Sequence, residues 1–154
     1  MKLIKPSFEI LEQTPGIQGV KKQIERAGRT CYKSEDKITD TSCEEFVSRM
    51  VNSGHGAMLE HGTVYLTIKS QWPNNCNLEL INKYRENKYS KVAIIENNEE
   101  WHYITVGITT NYRVLVENGW LDDLQYQCDL TEHHEKRITV KFICDRGVSH
   151  EFVR

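Results

Sequence analysis

The sequence has no surplus of charge: 20 lysines and arginines stand against 22 aspartates and glutamates, a formal net charge of -2. That balance removes the global positive field that draws proteins onto phosphate backbones or anionic lipid, so neither nucleic acid nor a membrane surface is an expected partner. Long apolar runs are missing too. The opening Met1-Lys-Leu-Ile-Lys5 leads into Pro6 and charged residues, not into an apolar stretch with a small-residue cleavage site. The expectation is a soluble, unexported, cytoplasmic protein. The cysteines Cys31, Cys43, Cys76, Cys128 and Cys144 are odd in number and nowhere closely paired, which argues against a disulfide framework and fits a reducing compartment. Zinc is poorly supported: Cys128 with His133 and His134 lacks a second pair of ligands, so this stretch reads as a solvated loop and no metal is expected. Internal repeats and low-complexity tracts are absent.

What the sequence does have is length enough for a core. A chain of 154 residues fits one domain, able to bury roughly 68 to 70% of the surface its unfolded form exposes. Residues 2–12 alternate in part and end at Pro15-Gly16, a strand closed by a turn. From Gly19 the spacing turns helical, with Val20, Ile24 and Ala27 as the buried stripe among Lys21, Lys22, Glu25 and Arg26. Thr41 or Ser42, with Glu44 and Glu45 three residues on, predicts a capping box for a second helix that buries Phe46, Val47, Met50 and Val51 and stops at Gly54.

Val64, Leu66 and Ile68 then alternate with Thr63, Tyr65, Thr67 and Lys69, the pattern of a half-buried strand. The asparagine-rich middle that follows looks inserted between strands. It is expected to hold a short helix over 78–84, a strand over 101–106, a helix over 110–118 capped by Thr110 and stopped by Gly119, and a polar connection over 122–135. A last strand covers 136–144. The plan is α+β, a mixed or antiparallel sheet flanked by helices. Asp145 to Arg154 reads as a helix with Val148, Phe152 and Val153 on one side and nothing to close it, as in the front part of a longer chain.

Three stretches carry residues suited to chemistry. Arg29-Thr-Cys-Tyr-Lys-Ser34 gathers a cation, a thiol and hydroxyls where the first helix ends, although Arg29 there also suits a helix dipole. Gly54-His-Gly-Ala-Met-Leu-Glu-His61 brackets His55 with glycines, which lets backbone approach a flat ligand, and sets Glu60-His61 just before a strand. The terminal Arg154 has the planar fork that suits phosphate. A lone histidine or a terminal arginine is more often structural or merely solvated, so the order of the three is what gives them weight.

In that order they resemble the flavin-dependent thymidylate synthase family. Arg29, Cys31, Tyr32 and Ser34 fit its RxCYxS pattern; Gly54, His55, Glu60 and His61 fit GHxSxxEH; Glu151-Phe-Val-Arg154 runs into RHRxxSxNExSxRY and ends on its first arginine. The resemblance covers a single domain over residues 1–154, with 71–135 as an insertion that compact members lack. Ala57 departs from it where a hydroxyl residue usually stands near the flavin, and Glu151 where a glutamine often touches the nucleotide.

What the resemblance implies is transfer of a one-carbon unit from methylenetetrahydrofolate to dUMP, giving dTMP, with FAD carrying the hydride and NADPH as reductant. It places His55 against the flavin and folate as the catalytic histidine. Cys31, Ala57 and Glu60 would line the cofactor site, with His61 supporting the loop. Arg154 would serve flavin or nucleotide phosphates and Glu151 would lie at the substrate. It also implies a homotetramer with flavin sites shared between copies. Two other readings stand beside it: a non-catalytic folding and oligomerisation module, and a module that stacks bases on Trp72, Trp101, Tyr103, Tyr112, Trp120 and Tyr126.

Overall fold

The computed structural model describes residues 5–71, 77–98 and 103–152. Trp72, Cys76, Trp101, Val153 and Arg154, and with them the phosphate role expected of Arg154, lie outside the described residues. In chain order the elements are β1 (Ser7–Leu11), α1 (Gly16–Cys31), α2 (Ser42–Asn52), α3 (Gly56–Leu59), β2 (Thr63–Gln71), α4 (Leu78–Glu86), β3 (Lys91–Asn98), β4 (Tyr103–Asn111), α5 (Tyr112–Asn118), β5 (Thr139–Ile143) and α6 (Arg146–Phe152). Short 3-10 turns lie at Glu35–Lys37 and Leu121–Tyr126. Among the described residues no helix is long and apolar enough to cross a membrane.

The chain divides into two compact units, Gln13–Lys136 and a smaller one made of Met1–Glu12 with Arg137–Arg154. The fold is α+β, and two small antiparallel sheets stand where one sheet was expected, a two-stranded β1-β5 and a three-stranded β2-β4-β3.

The larger unit holds the core. Alternation in β2 puts Val64, Leu66 and Ile68 on one face, and the register sets them opposite Thr110, Ile108 and Val106 of β4. All six are buried at 1% exposure or less, because helices cover that face. Val20 and Ile24 of α1, Phe46, Val47 and Met50 of α2, Ile81 and Tyr84 of α4, and Tyr112 and Leu115 of α5 join them in one cluster. The middle strand of this sheet, two of its helices and the Tyr84 and Tyr112 rings all come from residues 71–135. Trp120 and Tyr126 pack against the same cluster, so these aromatics are part of the main core and not of a separate one.

β3 is a strand the sequence did not announce. Its pairing with β4 shifts between Ile94 and Glu96, a bulge of the kind found at sheet edges. The helix after β4 begins at Tyr112, and its cap is Asn111 and not Thr110: the Asn111 carboxamide oxygen accepts from the Val114 N–H at 3.0 Å. Thr110 instead points its hydroxyl at Ser90 Oγ, 2.9 Å away in the interior. Of the two caps expected for α2, Thr41 or Ser42, the structure puts Thr41 at the cap position without a side-chain cap bond, while Ser42 is the first helical residue and donates its hydroxyl to Glu25.

In the smaller unit the register pairs Phe8 with Phe142 and Ile10 with Val140, and Phe152 of α6 stacks on Phe142 with ring centroids 5.0 Å apart. Phe8, Ile10, Phe142 and Phe152 are nonetheless all half exposed or more.

Candidate functional site

α1 and α2 lie against each other through a contact that only glycine permits. A Cβ on Gly28 would stand 2.4 Å from Cζ of Phe46, so the ring occupies the place a side chain would need. Phe46 is in turn covered by two guanidinium groups, Arg29 at 4.8 Å and Arg49 at 5.4 Å from its centroid. Arg29 is held in place by Glu25, whose carboxylate accepts from both Nε and NH2 at 3.1 Å. The other oxygen of Glu25 accepts from Ser42 Oγ at 2.9 Å. Glu25 is 1% exposed, so it belongs to the interior and not to the solvated face that its charge implied. This network claims Arg29 for structure.

Both helices end in the same motif. At α1 the Ser34 N–H donates to the Arg29 carbonyl at 2.9 Å and Lys33 N–H to Thr30 at 3.3 Å; at α2 the His55 N–H donates to Met50 at 3.0 Å and Gly54 N–H to Val51 at 3.1 Å. These are the paired backbone bonds that close a helix through one left-handed residue. Gly54 takes that conformation at φ 71°, while Lys33 takes it at φ 51°, where an L side chain is strained. The Arg29–Ser34 stretch is therefore a helix stop written without its usual glycine.

The two stops bring their neighbours together. Tyr32, last before the left-handed Lys33, sets its hydroxyl 2.9 Å from Nδ1 of His55, the first residue after Gly54. Tyr32 is 48% exposed and His55 is exposed as well, so the pair stands on the surface. Cys31 and Ala57 are exposed beside them in sequence, and Cys31 carries a free thiol. Carbonyl ends of α1 and α2 converge here, which favours donors and positive charge over anions.

The loop after His55 is backed by α5. A Cβ on Gly56 would stand 2.9 Å from Nε of Arg113 and 3.0 Å from Oε1 of Glu117, so backbone rests directly on this ion pair. Arg113 donates through Nε to Glu117 at 2.6 Å and through NH1 to Glu60. These two carboxylates push the guanidinium pKa further up. Glu60 is thus paired with Arg113 across the loop, and not with its sequence neighbour His61. Burial pushes the His61 imidazole below its ordinary pKa, and the charge of Glu60 only partly opposes this. His61 is exposed as a residue, so the burial that lowers its pKa is partial.

Of the residues expected at the site, the structure brings together the stretches that hold Cys31, His55, Ala57 and Glu60. Glu151 lies exposed in α6 of the smaller unit. Arg113 and Glu117 were not legible as site residues: they are an ordinary i,i+4 pair on a helix, and only the fold carries them to Gly56.

A second polar cluster lines the edge of β2 away from β4, where Gln127 bridges Leu66 and the Cys128 N–H donates to the Tyr65 carbonyl at 2.9 Å. His134 is 7% exposed, a buried residue in what had read as a solvated loop. Its Nε2 donates to the Leu66 carbonyl at 3.1 Å and its Nδ1 accepts from Thr131 Oγ1 at 2.8 Å, which uses both nitrogens. Cys128 Sγ is 3.8 Å from that Nε2 and 3.0 Å from Thr67 Oγ1, and burial raises its thiol pKa. This is a satisfied core histidine beside a protonated thiol, and among the described residues no group of three or more His, Cys, Asp or Glu gathers to hold a metal. Comparison with family models, with curated proteins and with solved structures finds no match to this chain.

Proposed function

We propose that the chain carries the chemistry of a FAD-dependent thymidylate synthase: dUMP to dTMP, with methylenetetrahydrofolate as carbon donor and NADPH as reductant. The observation that carries this reading is the contact between Tyr32 and His55. It joins the RxCYxS and GHxSxxEH stretches, whose relation in sequence alone is only one of order, into one exposed surface.

The residues present fit a flat heteroaromatic ring. Such a ring needs an open surface with hydrogen-bonding groups and little bulk, which Tyr32, His55 and Ala57 supply. Glu60 is paired with Arg113, which also holds Glu117, so one guanidinium offsets two carboxylates in part and the loop keeps a modest negative charge. The converging carbonyl ends disfavour a phosphate at this spot, so flavin and nucleotide phosphates call for cations elsewhere, the role proposed for Arg154, with Glu151 near the substrate. FAD, when bound, supplies hydride transfer. The chain's own residues position: His55 orients a ring, Tyr32 and Arg113 hold His55 and its loop, and the small Ala57 leaves room. Cys31 is placed at the cofactor surface without a nucleophilic role. A one-sided surface also accords with the proposed sharing of flavin sites between copies in a homo-oligomer, in a cytoplasmic setting.

The test is direct. Purified chain given FAD, NADPH, methylenetetrahydrofolate and dUMP is expected to form dTMP, resolved by chromatography, and His55→Ala to abolish it. Absence of dTMP from a folded, flavin-loaded preparation contradicts the synthase reading.

A second reading, a non-catalytic assembly module, draws on the exposed apolar face of β1 and β5, where Phe8 is 70% and Phe142 51% exposed. Self-association without flavin binding, read by sedimentation and absorbance, favours it.

A further inference from the structure

We infer that Tyr32 is a positioning residue for His55: its hydroxyl donates to Nδ1, which puts the ring proton on Nε2, so that the surface offers its ligand an N–H donor. The inference deepens the flavin reading and rests on it for the identity of the ligand, a ring whose edge carries carbonyl and imine acceptors. The tautomer itself does not depend on that reading.

Tyr32 Oη and His55 Nδ1 are 2.9 Å apart, a full hydrogen bond. In a neutral phenol and imidazole pair the phenol donates, because the imidazole nitrogen is the stronger base. Nδ1 then keeps its lone pair as acceptor, and the single ring proton must sit on Nε2. The partner on one nitrogen thereby sets what the other can do.

The bond also has the rigidity that positioning requires. Tyr32 is fixed by the α1 stop, whose 2.9 Å bond from Ser34 to Arg29 holds Lys33 at φ 51°. Local strain persists only where the surroundings determine it. His55 is fixed by the matching stop of α2, with its own N–H bonded to Met50 at 3.0 Å, and the next residue, Gly56, rests on Arg113. Two rigid ends thus meet through one hydrogen bond, residues 23 apart in the chain. Loss of the Tyr32 hydroxyl removes the bond and leaves both stops intact, since neither uses that side chain.

The tautomer is read without any ligand. In long-range proton–nitrogen correlation spectra of the neutral ring, wild-type His55 is expected to show a protonated Nε2 and an Nδ1 shifted as a hydrogen-bond acceptor. Tyr32→Phe is expected to move Nδ1 toward the value of a free lone pair and to raise the population protonated on Nδ1, with far-UV circular dichroism unchanged. A wild-type ring protonated on Nδ1, or spectra identical in the two proteins, overturns the inference. FAD titration separates it from the reading it rests on. If the spectra behave as stated and wild type binds no FAD, the flavin reading fails and the tautomer stands. If wild type binds FAD and Tyr32→Phe leaves spectra and affinity unchanged, the inference fails alone. With both correct, Tyr32→Phe weakens FAD binding by ~3- to 10-fold, the effect of one misdirected hydrogen bond.

Discussion

Phe46 lies so close to Gly28 that its Cζ is 2.4 Å from where a Cβ would stand. This contact sets the spacing of α1 and α2, and through it the meeting of Tyr32 and His55 beyond their ends. Two effects oppose each other in Gly28→Ala. Alanine favours a helix interior over glycine by ~1 kcal/mol, while forcing a ring from a packed core costs ~1–3 kcal/mol. Phe46 is 1% exposed and has the Arg29 and Arg49 guanidinium groups within 4.8 and 5.4 Å of its centroid, so it has little room to yield. A net loss of about 1–2 kcal/mol is expected in urea unfolding; a gain in stability would show that the helices are not this close.

Lys33 is the opposite case, a residue whose backbone would prefer glycine. An L side chain in the left-handed region costs ~1–2 kcal/mol, and the greater freedom of unfolded glycine returns part of that. Lys33→Gly is therefore expected to stabilise by about 0.5–1 kcal/mol, read as a raised unfolding midpoint. Lys33→Val, branched at Cβ, is expected to lower it.

Glu25 tests the interior network. Truncation in Glu25→Ala leaves Arg29, whose side chain is 12% exposed, without its carboxylate, and Ser42 without its acceptor. Breaking a buried pair on one side typically costs ~3–5 kcal/mol. Residual solvent at Arg29 lowers the expectation to about 2–3 kcal/mol, with Glu25→Gln losing less because it still accepts from Ser42.

His61 gives stability a pH dependence of known sign. Burial lowers its pKa in the folded state below the ordinary histidine value, so the unfolded chain binds the proton more readily. Its contribution is fully present above about pH 6.5, the unfolded value, and is lost as pH falls through the folded pKa. Urea midpoints of the wild type are expected to drop through this window, and those of His61→Gln to drop less. Equal slopes in the two proteins would remove His61 as the cause.

Much of the fold was legible where one period dominated. The alternation of Val64, Leu66 and Ile68 gave β2, and Gly54 and Gly119 marked helix stops that the structure closes at φ 71° and 70°. What was hidden depended on distant partners. Glu25 reads as a surface charge until Ser42 and Arg29 are seen around it. Thr110 and Asn111 are both capping residue types, and in the fold Ser90 takes the Thr110 hydroxyl while Asn111, the stronger cap, accepts from Val114. β3 follows a helix in a polar segment, and its pairing with β4 is broken by a bulge, so no clean alternation announced it. Lys33 gives no sign in sequence of a left-handed turn. For the site, the motifs named His55 and Tyr32, and only folding could reveal that one bonds the other or that Arg113 comes beneath Gly56.

The measurement that bears most directly on the central reading is FAD titration of the purified chain, followed by quenching of flavin fluorescence and by the visible flavin bands. Saturable binding is expected for the wild type, weakened about 10-fold by His55→Ala, the loss of roughly one hydrogen bond. No binding by the wild type, or binding that His55→Ala leaves unchanged, would contradict the assignment of this surface to the flavin.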